Sequence, residues 1–413
     1  MTSFLQNFSR KADASGAPTD SRIARVLEIL RGGTSATTEE QIRITEIPAP
    51  PFQEAARAAY MKKLFASTGL KVDIDDIGNV IGEWPGSSQE VVMLTAHLDT
   101  VFPSGTPLNI RQQGSRLYGP GVSDNGAGVT AMLAMVAALR ALNIGHALPF
   151  LFIGNVGEEG EGDLRGMRHI FSQPRWKGQI HYSLVLDGAG SDTIVAEALG
   201  SRRFEVIVRG PGGHSWTDFG APNPIVVLAR AVQAFSQTPV PVSPKTTFNV
   251  GVIRGGTSVN SIPESASMRV DIRSTSMAEM ERLEDALRLA IDRALAEETR
   301  ALEVRTNSRR RTIGLSSEVV VIGDRPAGEL SPTARILHVV RAVDAQLGNT
   351  AQVQRASTDA NIPLSLGLEA VAIGGGGTGG GAHTLQEWFD CNGRELGLRR
   401  ILLTLLGLAG VAL

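Results

Sequence analysis

Apolar residues fall into different rhythms along this chain. Arg22–Arg31 and Gln53–Ser67 carry apolar positions at helical spacing. Val91–Thr95 (VVMLT), Pro149–Gly154 (PFLFIG) and Ser183–Leu186 (SLVL) are short apolar runs, as strands buried on both faces would be. Between the first two, Asn125–Leu142 is rich in Ala, Met and Leu and reads as a helix. Strand, helix, strand in this order predicts an α/β fold whose sheet is at least partly parallel.

The rhythm changes near Ser201. Arg203–Arg209 alternates polar and apolar residues, as do Thr247–Arg254 and Ala266–Ile272, which suits strands with one wet face. Pro224–Ser236 and Met277–Leu295 read as amphipathic helices. Strand–helix–strand–strand–helix–strand predicts a small antiparallel α+β unit of ferredoxin-like type. The first rhythm then returns, with helix at Thr333–Gln346, strand at Ala370–Ile373 and helix at Leu396–Leu406. The expected organisation is one α/β domain of residues 1–200 and 314–413, interrupted by a second domain of residues 201–313.

Composition narrows the class. Forty basic against 42 acidic residues leave a net charge of −2, so bulk electrostatics favours neither nucleic acid nor an anionic membrane. The 46 glycines and only 5% aromatics suit an α/β enzyme with many tight turns. Cys391 is the only cysteine, so no internal disulfide can form, and a reducing, cytoplasmic setting is expected. No signal peptide or membrane span is predicted: residues 1–20 are polar, and the apolar Ile401–Leu413 is short and broken by Gly407 and Gly410. Disorder is expected for residues 1–20, a buried terminal helix for the C-terminus, and a solvated turn for Arg309–Arg311.

Acids and histidines collect just after the predicted strands, where open sheets form ligand crevices. His97 follows Val91–Thr95, with Asp99 two residues on. This pair reads equally as a loop histidine held by a carboxylate or as a metal-binding imidazole oriented by one. Asp124 lies in a glycine-rich turn opening a helix, and is either its N-cap or a ligand. Glu158 and Glu159 follow Pro149–Gly154 with Glu161 and Asp163 close behind, so a cation would relieve their repulsion. Asp187 follows Ser183–Leu186. His383 closes the glycine run Gly374–Gly377 and Gly379–Gly381, which predicts no regular structure and reads as a surface loop or a backbone cradle for a carboxylate. His146, His169, His181 and His338 have no such setting and read as structural or surface groups; His214 is a loop histidine at a glycine turn. Together His97, Asp124, Glu159, Asp187 and His383 offer nitrogen and oxygen donors without sulfur, a set suited to catalytic zinc, cobalt or manganese.

The motifs HLDTV, GVSDNGAG, GEEGEGDLRG, GPGGHSW and NSIPESASMRVDIRS, in this order from His97 onward, resemble the co-catalytic dizinc exopeptidase family of peptidase T, carboxypeptidase G and aminoacylase. The run Ser357–Pro363 is similar to the peptidase T branch. The resemblance implies two divalent metal ions, most simply Zn²⁺. His97 and Asp187 would hold one, Glu159 and His383 the other, and Asp124 would bridge them, often beside a cis peptide. It implies Glu158 as general base and Asp99 as the group that orients His97. It also implies an inserted lid that forms a homodimer, whose His214 enters the partner's site while Asn260 and Arg273 contact substrate. Trp216 stands where the family carries a small residue. Asp at position 187 points toward aminopeptidases or dipeptidases acting on short peptides. An N-acyl or N-carbamoyl amino-acid amidohydrolase, or a carboxypeptidase, is the alternative. A non-catalytic binding protein would have lost a ligand or Glu158, and none is missing. A phosphate-binding reading of the glycine runs fails for want of a following Gly-Lys-Ser/Thr.

Overall fold

The computed structural model describes residues 19–32, 34–142, 148–306 and 314–411. Residues 1–18 of the polar N-terminal stretch, His146 and Arg309–Arg311 lie outside the described residues. The chain divides into two compact units, Met1–Ala198 with Glu329–Leu413, and Leu199–Gly328.

The first unit is built on a nine-stranded mixed sheet. At its centre Phe150–Asn155, Val91–His97, Ile180–Leu186 and Glu369–Ile373 run parallel. Val91–His97 and Phe150–Asn155 are buried at every position, hence their unbroken apolar sequence. Thr193–Ala198, paired antiparallel to Glu369–Ile373, alternates between half-buried and buried residues instead. Helix Gly126–Leu142 is apolar all round and buried almost throughout, because helices Thr19–Gly32, Thr34–Thr45 and Arg394–Leu408 surround it beside the sheet. The apolar C-terminus is thus a buried helix, Arg394–Leu408. No described helix is long and apolar enough to cross a membrane.

The glycine run corrects the expectation of an irregular loop. Gly374–Gly377 is buried, and Thr378–Gly380 is a short strand paired antiparallel with Trp388–Asp390. Close approach of backbones explains the composition. A Cβ on Gly376 would lie 2.5 Å from the Arg394 carbonyl oxygen, and one on Gly397 would lie 2.2 Å from Gly376 Cα. The missing side chains let this segment dock on the C-terminal helix.

In the second unit, Thr246–Gly255, Ser265–Ser274, Gly200–Arg209 and Ser316–Arg325 form a four-stranded antiparallel sheet in that spatial order. With helices Pro224–Ser236 and Met277–Thr306 this is the split βαβ arrangement. Asn223 caps the first helix by accepting from Ile225 N at 2.9 Å, with Pro224 in the first turn. Phe204, Val206, Val208, Met268, Val270 and Ile272 face Val227, Leu228, Leu283 and Leu287 in a core of their own. The unit reaches Gly328 rather than residue 313 because Ser316–Arg325 is the fourth strand, in register with Gly200–Arg209. As an edge strand it leaves Val320 and Val321 exposed, which spoils the alternation that would have announced it.

Candidate active site

Three parallel strands at the centre of the large sheet deliver the first side chains to their carboxyl ends. His97 is the last residue of Val91–His97, and Asp187 follows Ile180–Leu186 directly. Glu158 and Glu159 stand just past Phe150–Asn155. Asp124 and His383 arrive on loops. His97 Nε2 lies 3.1 Å from Asp124 Oδ1 and 3.8 Å from Asp187 Oδ1. His383 Nε2 lies 3.2 Å from Asp124 Oδ2 and 3.1 Å from Glu159 Oε1. The two oxygens of Asp124 therefore face two different imidazoles. His97, Asp124 and Asp187 form one potential metal-holding set, and Asp124, Glu159 and His383 a second, each with donor atoms within 4.8 Å of one another. His97, Glu158 and Glu159 form a further group of this kind. The Asp124–Asn125 peptide is cis.

This cluster is suited to cations. Asp124 Oδ1 is buried yet makes no hydrogen bond. Burial alone would push the His97 imidazole down, but the surrounding carboxylates of Asp124, Asp187 and Asp99 hold its pKa well above 6.5. Hydrogen bonds to Asp124 and then Glu159 raise His383 to about 10. Burial would raise Asp124, but the two imidazoles keep its carboxyl well below the usual range. The carboxylates thus draw positive charge onto the imidazoles, and divalent cations held by the same donors would displace those protons.

A rigid frame sets these groups. The Asp99 carboxylate accepts from Glu158 N at 3.0 Å and Glu159 N at 2.7 Å, so it fixes the loop that carries both acids. His97 Nδ1 lies 3.2 Å from the Asp99 carbonyl oxygen and 3.7 Å from Asp99 Oδ1. The helix cap falls to Asn125, whose Oδ1 accepts from Gly128 N at 3.1 Å, and this leaves Asp124 free.

Three framework residues carried no local signal in the sequence, and a fourth only a faint one. Buried Glu387 accepts from Gly121 N at 2.7 Å, Ser123 N at 2.7 Å and Asp124 N at 2.8 Å. Standing four residues after His383, it ties the two loops together; burial pushes its carboxyl up to about 7 against those three donors. Arg57 donates to the carbonyls of Thr45, Ile47 and Leu98, clamping the turn after His97. Burial lowers its guanidinium to about 10. Asn155, opposite His97 in the sheet, donates to Asp359 Oδ2 at 2.7 Å. The only sequence hint was the Ser357–Pro363 run, which contains Asp359.

The second unit holds the other predicted residues. Gly213–His214 pairs with Ser261–Ile262, and Ser215 N donates to the Asn260 carbonyl at 3.0 Å, so His214 and Asn260 share one exposed tip. Trp216 on that tip is 84% exposed. Arg273 is elsewhere: its Nε donates to Asp271 Oδ2 at 2.7 Å, near the far end of Ser265–Ser274. Eight residues of extended strand separate it from Ser265, on the order of 25 Å. His169 is half-buried beside Gln173, while His181 and His338 are exposed.

A family model described as Peptidase family M20/M25/M40 matches residues 93–406. The chain belongs to this family. As an M20/M25/M40 peptidase it is a hydrolase acting on peptide bonds. The YqjE protein of Bacillus subtilis (strain 168) is 24% identical over 353 residues, 81% of this chain and 88% of that protein. A probable carboxypeptidase of Aspergillus clavatus is 33% identical over 207 residues, so the chain spans only 45% of that relative. Aminopeptidase PepT from Bacillus cereus ATCC 10987 has the same fold, with a TM-score of 0.71 at 21% identity over 90% of this chain and 97% of that one.

Proposed function

We propose that this M20/M25/M40 peptidase is an exopeptidase for short peptides, of the aminopeptidase or dipeptidase kind, working with two divalent metal ions. The observation that carries the reading is the division of Asp124 between two imidazoles, each backed by a further carboxylate. His97 and Asp187 would hold one ion, Glu159 and His383 the other, with Asp124 shared. The all-nitrogen-and-oxygen donor set favours Zn²⁺, with Co²⁺ or Mn²⁺ as substitutes. Bound there, the ions supply Lewis-acid activation of water and of the scissile carbonyl.

The chain's own residues do the rest. Glu158 is buried beside the cluster, and its backbone is fixed by Asp99. It takes a proton from the attacking water and delivers it to the departing nitrogen. His214 donates to the oxyanion, and Asn260 and Arg273 bind substrate, the guanidinium gripping a carboxylate. The separation of Arg273 from the His214–Asn260 tip within one unit favours a homodimer in which the tip serves the partner's site. A cytoplasmic setting accords with the lone, buried Cys391.

A carboxypeptidase is the second reading, favoured by the name of the Aspergillus relative; an N-acyl or N-carbamoyl amidohydrolase is the third variant of the same chemistry. Activity on dipeptides and tripeptides that is lost on chelation and restored by Zn²⁺ supports the first reading. Turnover only of substrates with a blocked amine would replace it with an alternative. Activity indifferent to chelation would overturn the metal centre.

A further inference from the structure

Asp359 is one of the buried carboxylates of the first unit that the chemistry above leaves unused. It is fully buried, two residues before the short helix Asn361–Ser365. Other buried acids in this unit are well compensated. Asp344 receives Arg400 through both oxygens, at 2.7 and 2.8 Å. Glu387 accepts three backbone N–H groups, and Asp99 two. Asp359 has a neutral amide, Asn155 Nδ2, on one oxygen, and its buried Oδ1 makes no hydrogen bond. The leading charges acting on it are those of His97, Asp187 and Asp99, and no Arg or Lys is among them.

Its connections lead toward the proposed metal centre. Asn155 Oδ1 accepts from Thr95 Oγ1 at 2.6 Å, two residues before His97. The Asn155 carbonyl accepts from Leu98 N at 2.7 Å, one residue after it. Asn155 therefore grips the His97 strand on both sides of His97, and Asp359 fixes Asn155. Packing alone would be served as well by an amide at position 359, which could still accept from Asn155. A buried, poorly compensated charge lowers stability unless something repays it.

Charge in the neighbouring cluster can repay it. In the metal-free protein Asp124, Asp187 and Glu159 carry three negative charges, which protonated His97 and His383 cut to one net negative charge; with two divalent cations and neutral imidazoles the same set carries one net positive charge. An anion held behind His97 is repelled by the first state and attracted by the second. We infer that Asp359 is an electrostatic positioning residue whose buried charge strengthens metal binding at the expense of the metal-free fold. This rests on the proposed metal centre.

The test uses the full chain. Zn²⁺ affinity is read by competition with a chromophoric chelator, and thermal melting is read on chelator-stripped protein. Asp359→Asn should melt at or above the wild-type temperature without metal, yet bind the more weakly held Zn²⁺ about tenfold less tightly. Unchanged affinity overturns the inference. So does a parallel fall in affinity and melting temperature, the signature of a merely structural group. If Asp359→Asn does not fold, Asp359→Ser must show the same loss of affinity; if neither neutral variant folds, the charge is structural and the inference fails. Wild-type protein that binds no Zn²⁺ would sink the metal centre itself, a result separate from wild-type binding that Asp359→Asn leaves intact.

Discussion

The two units present their candidate residues in opposite ways. In the first, His97, Glu158 and Glu159 are buried at the ends of buried strands, and Asp99 and Glu387 fix the Glu158–Glu159 and Asp124 loops through five backbone N–H bonds. In the second, His214 and Asn260 stand exposed on a two-residue strand pairing, beside an exposed Trp216. The first set is preorganised by its own unit. The second is positioned only by this short strand pairing, and its place in catalysis depends on what the exposed tip meets. Preorganised donors cost little reorganisation when charge develops, so the first set should control metal binding and proton transfer. The second set should affect substrate binding and turnover but not metal binding.

That contrast can be broken at several points. The largest effect is expected for Glu158→Gln, which should lower kcat by about 10³-fold or more while metal content, measured by atomic absorption, stays at the wild-type level. Loss of metal in this variant would mean that Glu158 is a ligand. Next, His214→Ala should lower kcat about 10²-fold with Zn²⁺ affinity unchanged. Mixing it with Glu158→Gln protein should restore activity if the tip serves a partner's site; no recovery from dimers shown to exchange subunits would place His214 in its own chain's site.

A smaller effect is expected at Glu387. Glu387→Gln sets an amide N–H against a backbone N–H, and should weaken the looser Zn²⁺ about tenfold or more through the Asp124 and His383 loops. Wild-type affinity there would remove Glu387 from the frame. The smallest effect concerns pH. In metal-free protein His383 is raised from 6.5 to about 10. Its contribution to stability is therefore complete below pH 6.5 and disappears as pH rises toward 10. His383→Asn should flatten that part of the stability–pH curve, and saturating Zn²⁺ should do the same to the wild type. Identical slopes for wild type and variant would show that His383 does not pair with Asp124 and Glu159.

The legible features were those with a local physical signature. Buried strands announced themselves through unbroken apolar runs, and His97 and Asp187 could be placed because they end two of them. Short or edge elements gave weaker signals. Ser316–Arg325 is half wet on both faces, so the inserted unit appeared to end too early. The glycine run looked irregular because its order comes from backbone packing against Gly397 and Arg394, residues that follow later in the chain.

The sequence by itself determined the alternation of helix and strand, the insertion of one unit into another, and the donor types available for cations. Those properties follow from periodicity and side-chain chemistry, which act over a few residues. Tertiary structure alone decided that Asp124 faces two imidazoles, that Asn125 rather than Asp124 caps the helix, and that Glu387 and Arg57 brace the loops. It also left Asp359 with a neutral amide as its hydrogen-bond partner. Such relations join groups as far apart as 266 positions, as between Gly121 and Glu387, and depend on which backbone and side-chain atoms the packed chain brings within hydrogen-bond reach.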